Sequence, residues 1–262
     1  FPARNASPSS MLSDPWFYAA AVPAMIVLGL SKGGFGVINL LTVPILALAI
    51  SPVQAAGITL PILVLSDIVA LAAYWRRWDT RLLAAMLPGA LLGIIVGWLA
   101  AAWVTEQEIR LIVGVVSIAF AVDYFLRHRR SVLPRERNWP KALFWSTVTG
   151  FTSFVSHAGG PPYQVYTAPL RLDPRTFAAT SVIFFAILNA VKLVPYFFLG
   201  QFNPENLATS AILLPISIPA TLLGVWLVKR VNTRVFYEVT YGLILIVGLF
   251  LVGESVGELA GP

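Results

Sequence analysis

The chain contains no cysteine in its 262 residues and little charge: 11% of positions are Asp, Glu, Lys or Arg. The missing thiols exclude a disulfide framework, a thiolate metal site and cysteine catalysis, and they leave the redox compartment open. The scarcity of charge excludes a soluble globule, in which about 25% charged residues is usual. Hydrophobic residues make up 58% of the chain and the mean hydropathy is +0.79, so the polar surface is too small to cover a water-facing body. Lipid must supply much of the solvent. The net charge of +6 would suit nucleic acid only if the basic side chains formed a soluble stripe. They lie instead in short loops between apolar runs, the pattern of membrane orientation, and no nucleic-acid partner is expected.

What the sequence has in abundance is apolar segments of spanning length, about 20 residues each. They fall at 54–75, 82–103, 108–126, 176–198, 207–228 and 235–252. Two further apolar stretches, 16–50 and 142–170, are interrupted by small and helix-breaking residues: Ser31-Lys32-Gly33-Gly34-Phe35-Gly36 and Ser156-His157-Ala158-Gly159-Gly160-Pro161-Pro162. Each reads as two short helices around a break. The Pro/Ser-rich start, residues 1–13, reads as an appended or disordered tail with Met11 as a native start, and no cleavable signal peptide is expected. The glycosylation sequon Asn5-Ala6-Ser7 lies inside that tail and carries no functional weight.

The two halves repeat one another. An offset of 125 pairs Ser31 with Ser156, Lys32 with His157, Gly34 with Gly159, Thr42 with Thr167 and Pro44 with Pro169. An offset of 122 then pairs Pro52 with Pro174, Thr59 with Ser181, Asp67 with Asn189 and Tyr74 with Tyr196, and the run Pro88 to Gly93 answers Pro219 to Gly224. An ordered series of Pro, Gly and polar matches is harder to obtain by accident than matched apolar runs. The expected organisation is a tail at 1–13, a first repeat at 14–127, a basic linker at 128–141, a second repeat at 142–252 and a C-terminal tail at 253–262.

Charge placement gives the orientation. Of the 18 Lys and Arg residues, 14 sit in four segments: the loops after Tyr74, Leu170 and Val228, and the linker beginning at Arg127. These are assigned to the cytoplasm. Loops carrying Glu106 and Glu108, Glu205, and Glu254 and Glu258 then face outward, with both termini periplasmic. Matched loops of the two repeats fall on opposite sides, which requires an odd number of crossings per repeat. The expected fold is therefore all-α and integral to the membrane. It has two inverted repeats, each a broken or re-entrant helical hairpin plus three transmembrane helices, an architecture of many secondary transporters.

The breaks carry the chemistry. Non-helical backbone at membrane depth is tolerated where protein or a watery cavity supplies hydrogen-bond partners, so Gly33-Gly34 and Gly159-Gly160 are expected to line a cavity. Exposed N–H groups at the starts of the following short helices would favour an anion. A lysine at mid-membrane is costly, at least ~2.5 kcal/mol, which argues against an idle Lys32. Snorkelling or a fixed pair with Asp67 remains the bland reading of Lys32, and a neutral, backbone-satisfied imidazole that of His157. The expected substrate-binding residues are Ser31, Lys32, Gly33, Gly34, Phe35, Gly36, Asn39, Ser156, His157, Ala158, Gly159, Gly160 and Gln164. Asp67, Asn189 and Lys192 are candidates for charge balance or coupling: Asp67 could offset Lys32 or Lys192, or carry a proton. Asp123 and Glu238 read as interfacial.

The stretch Gly29 to Gly36 continuing to Thr42-Val43-Pro44, with its partner Gly150 to Gly160 continuing to Thr167-Ala168-Pro169, resembles the paired motifs of the TauE/SafE family of sulfite exporters. The resemblance covers nearly the whole chain after Met11. It implies a bacterial inner-membrane permease that moves sulfite, or a related anion such as a sulfonate or thiosulfate, without ATP hydrolysis. Lys32, His157 and Pro161-Pro162 depart from the family's commoner Gly-rich pattern. No enzyme activity, metal or cofactor is expected. The partners are a small anion, the bilayer and, as an option, a second copy in a homodimer. An intramembrane hydrolase would need Ser156 and adjacent His157 to aim at one another, with no Gly-x-Ser-x-Gly pattern around them. A non-transporting scaffold would leave the paired breaks without a purpose.

Overall fold

A computed structural model describes residues 14–100, 106–127 and 134–260; the expected tail at 1–13 and linker residues 128–133 lie outside the described residues. The described chain is helical, without strands. The helices are α1 (Pro15–Lys32), α2 (Thr42–Ala47) after a 3-10 segment (Gly36–Leu41), α3 (Pro52–Ala73), α4 (Thr80–Ala100) and α5 (Glu106–Arg127). They continue as α6 (Trp139–Ser156), α7 (Gly160–Thr167) with a 3-10 turn (Ala168–Leu170), α8 (Pro174–Phe198), α9 (Pro204–Arg230) and α10 (Thr233–Ala260).

A shared punctuation starts many of them. Asp14, Ser51, Asp173 and Asn203 each precede a proline, and each side chain accepts a hydrogen bond from an N–H of the first turn. The cap satisfies a donor that the helix cannot, and the proline occupies a position where no N–H is needed. Among the described residues, six helices are long and apolar enough to cross a membrane: α1, α3, α4, α8, α9 and α10, while α5 holds a shorter apolar stretch at Leu111–Leu126. Large apolar side chains such as Leu99, Ile112, Phe198 and Ile246 point outward, whereas Asp67, Lys32, Lys192 and Asn189 are buried. That inverted distribution is what a lipid solvent demands.

Two differences from the sequence reading concern lengths. The broken stretches are not two short helices: α1 and α6 each run 18 residues, about 27 Å at 1.5 Å per residue, and only the returning arms are short. Pro23 takes one N–H out of the backbone ladder of α1 without ending the helix, and α6 runs on to Ser156 as a single helix. At the other end, α10 continues through Gly253 and Glu254 to Ala260 rather than stopping at 252, because helix hydrogen bonding does not require an apolar pattern.

The packing crosses between halves. α1 lies against α9, and its counterpart α6 lies against α4; α5 pairs with α10, and α3 with α8. Glycines permit the closest approaches: a Cβ on Gly33 would overlap the backbone of Gly224, with Val225 N at 2.6 Å. Gly34, at φ +135°, occupies a backbone region that side chains disfavour, and ends α1 sharply.

Candidate functional site

The breaks meet. α7 begins at Gly160, where an added Cβ would stand 3.0 Å from Val37 Cα and 3.1 Å from Gly36 O, so the second break abuts the first inside the helix bundle. Between them, and against the middle of α8, lies a small cavity of about 30 Å³. By the usual threshold of ~10–15 Å³ per water it has room for about two or three waters.

Lys32, the last residue of α1, is 6% exposed and its Nζ lies 2.7 Å from Asp67 Oδ1. Asp67 is also reached from α8, where Asn189 Nδ2 donates to its Oδ2 at 2.8 Å. One turn further along α8, Lys192 is 1% exposed, and its Nζ donates to Ser153 O and Ser153 Oγ, both at 3.2 Å. Among the described residues Lys192 has no carboxylate partner within ion-pair distance. His157 adopts a left-handed conformation (φ 53°) that closes α6 and turns the chain toward α7. Its Nε2 shares a hydrogen bond of 2.8 Å with the Tyr196 hydroxyl. Asn39 Oδ1 lies 3.4 Å from both the Ser31 and Thr42 hydroxyls, which fixes the start of α2 to the end of α1.

Of the residues singled out in the sequence, Ser31, Lys32, Gly36, Asn39, His157, Gly160, Asn189 and Lys192 line this cavity. Asp67 stands behind it as the partner of Lys32. Gly33 and Gly34 do not line it; they are used for close approach to Gly224, Val228 and Tyr74. Phe35 packs its ring against Phe236, Ala158 is buried beside Leu40 and Val247, Gly159 faces Ser153 and Phe185, and Gln164 is buried away from the cavity lining. The side chain of Ser156 lies outside the described residues. Ser153, Ser181, Val182 and Phe185 line the cavity unannounced. Of these, only Ser181 carried a sequence signal, its match to Thr59.

The backbone offers an anion less than the Gly-rich pattern suggested. Pro161 and Pro162 have no N–H, and Tyr163 N returns to Gly159 O at 3.2 Å, so the first turn of α7 has few free donors. Positive charge in the cavity comes from side chains: two lysines converge there with a single carboxylate. Such a lining suits charge-assisted hydrogen bonds to a compact anion.

The comparisons with known proteins agree with this setting. A family profile described as "Sulfite exporter TauE/SafE" matches residues 19–251. The chain is also similar to a protein of Cupriavidus necator named "Probable sulfite/organosulfonate exporter TauE", with 23% identity over 235 residues, covering 87% of this chain and 84% of that protein. No solved structure matches it. With the family match extending over most of its length, this chain belongs to the TauE/SafE sulfite exporter family.

Proposed function

We propose that the protein is a permease for a small sulfur oxyanion, with sulfite export across the bacterial inner membrane as its primary activity. The observation that carries the reading is the convergence of Lys32 and Lys192 on the cavity between the two breaks, with Asp67 as the nearby carboxylate among the described residues. An arriving anion meets Lys192 first in energetic terms, because no carboxylate holds that ammonium, and then competes with Asp67 for Lys32. Ser31, Ser153, Ser181 and His157 complete the polar lining, which matches the several oxygens of a sulfite-like anion. Crossed packing of the two halves supports two inverted repeats that rock against each other around a fixed central site. The clustered basic loops support a cytoplasmic linker with both termini periplasmic.

A second reading rests on Val182 and Phe185, an apolar wall beside the lysines. It favours an organosulfonate, whose short carbon chain would lie on that wall. The deciding experiment is flux into proteoliposomes of the purified protein, run with sulfite, thiosulfate, sulfate and short sulfonates at several pH values. Sulfite is expected to be the fastest; transport of none of them above empty liposomes would end the permease reading, and preference for a sulfonate would shift it to the second.

A further inference from the structure

A second, larger pocket of about 490 Å³ opens where the end of α3, the start of α8 and the junction of α9 with α10 come together, on the face that the charge pattern assigns to the cytoplasm. Arg77, Arg175 and Lys229 line it with Asp173 as the one acidic side chain. The Asp173 carboxylate is already engaged, accepting the N–H groups of Arg175 and Thr176 at the start of α8 (3.1 and 3.4 Å). Arg175 is tied in place by its Nη2, which donates to Lys229 O at 2.9 Å. The pocket is therefore a concave surface with excess positive charge and one pre-positioned guanidinium.

Its floor adjoins the first break, next to Lys32 of the central site. Lys229 Nζ stands 5.9 Å from the centre of the Tyr74 ring, and the Tyr74 hydroxyl donates to Gly33 O at 2.5 Å, one residue from Lys32. Val228, a second floor residue, packs on Gly34: a Cβ there would lie 2.8 Å from Val228 Cγ2. One phenol and one valine thus separate the basic pocket from the first break.

We propose that this pocket is a docking site at which a small divalent oxyanion is collected before it passes Tyr74 into the central cavity; this rests on the permease reading above. Cations gathered in a concavity raise the local anion concentration and speed encounter, an effect that weakens as salt screens it. A lipid phosphate shares the chemistry of the ligand, so the test must separate the two sources. Binding of radiolabelled sulfite would be measured on purified protein in phosphatidylcholine nanodiscs, for wild type, Arg77→Gln/Lys229→Gln and Lys192→Met, and repeated in discs containing phosphatidylglycerol. Wild type should show two classes of site. The double variant should lose the weaker class and keep the tighter one, and Lys192→Met should do the reverse. In proteoliposomes the double variant should transport dilute sulfite about five- to tenfold more slowly, with a flatter dependence on ionic strength. A single class of site in wild type, or two unchanged classes in the double variant, overturns the proposal. Selective loss of the weaker class in phosphatidylglycerol discs also overturns it, in favour of a lipid headgroup. Two-class binding without any flux would sink the permease reading while leaving the docking site standing.

Discussion

Asn189 donates to Asp67 at 2.8 Å, and each is the sixteenth residue of its own helix, counted from Pro52 in α3 and from Pro174 in α8. The two residues occupy matched positions of the two halves of the sequence and touch where those halves meet. The chemistry around them is not symmetric, for the first half contributes Lys32 and Asp67 while the second contributes His157, Asn189 and Lys192.

The Lys32–Asp67 pair should be worth more intact than its net contribution suggests. Removing one partner of a buried pair leaves an uncompensated charge and typically costs about 3–5 kcal/mol, whereas replacing both by apolar residues is often tolerated. Asp67→Leu is expected to lower the unfolding temperature in detergent sharply, and Lys32→Met/Asp67→Leu to recover most of the loss. A double variant no better than the single would mean that the pair is not coupled.

Lys192→Met keeps most of the side-chain volume and removes the ammonium that Ser153 orients. It should fold normally and lose at least tenfold in kcat/KM for sulfite. Normal flux in a monodisperse Lys192→Met protein would move the anion site onto Lys32 alone.

The two matched tyrosines each hold the break of their own half, Tyr74 through Gly33 O and Tyr196 through His157 Nε2. Tyr74→Phe and Tyr196→Phe each remove one hydrogen bond, worth about 1 kcal/mol net. Thermal unfolding should drop modestly in both, and the rates of flux from the two sides should change unequally. Equal effects on both directions would speak against each tyrosine serving a different side.

Outside the membrane, Arg137 grips Asp79 with two hydrogen bonds, Nη1 to Oδ1 at 3.0 Å and Nη2 to Oδ2. Burial works against the Asp79 charge, but the hydrogen bonds from Arg137 and from Leu82 N–H outweigh it and hold the carboxyl below the ordinary carboxylate range. A depressed folded-state value stabilises the fold above the unfolded value of about 3.9 and loses that contribution as pH falls through the lower, folded value. Trp78 and Trp139 line the same pocket as the pair. Tryptophan emission should accordingly be flat from neutral pH to about 5 and shift below about 4, and Arg137→Gln should show a shifted signal throughout. A pH response of Arg137→Gln identical to wild type would rule this contact out as the cause.

The topology is open to fusion reporters. A periplasm-dependent reporter placed after Glu258 should be active, and a cytoplasm-dependent one inserted in the linker between Arg127 and Asn138 should be active as well. The reverse pattern at either position would overturn the orientation.

Much of this arrangement was legible because polar and helix-breaking residues are conspicuous in an apolar chain. Lys32, Asp67, Asn189 and Lys192 stood out by cost alone, but which of them pair was left open by the sequence, because it carries no distances. Gly33 and Gly34 were harder, since a glycine that admits a ligand and one that admits a neighbouring helix look the same; here the neighbour of Gly33, Gly224, is 191 positions further along the chain, and Gly29 likewise packs on α9 at Thr221 N, 2.9 Å away. Ser153 and Ser181 escaped because serines inside apolar helices commonly bond their own backbone. The helix starts could have been read more sharply from the Asp-Pro, Ser-Pro and Asn-Pro pairs, whose capping geometry is local and needs no tertiary information.

The crossed pairing of α1 with α9 also sets a timetable for assembly. When α1 leaves the ribosome its partner does not yet exist, and about 200 further residues must be made before α9 is complete. At ~5–20 residues per second that is a wait of roughly 10–40 s, during which Gly29 and Gly33 face lipid or a temporary neighbour. The protein cannot mature half by half, so a chain truncated before Pro204 should leave its first helix without a home and be a ready target for membrane quality control.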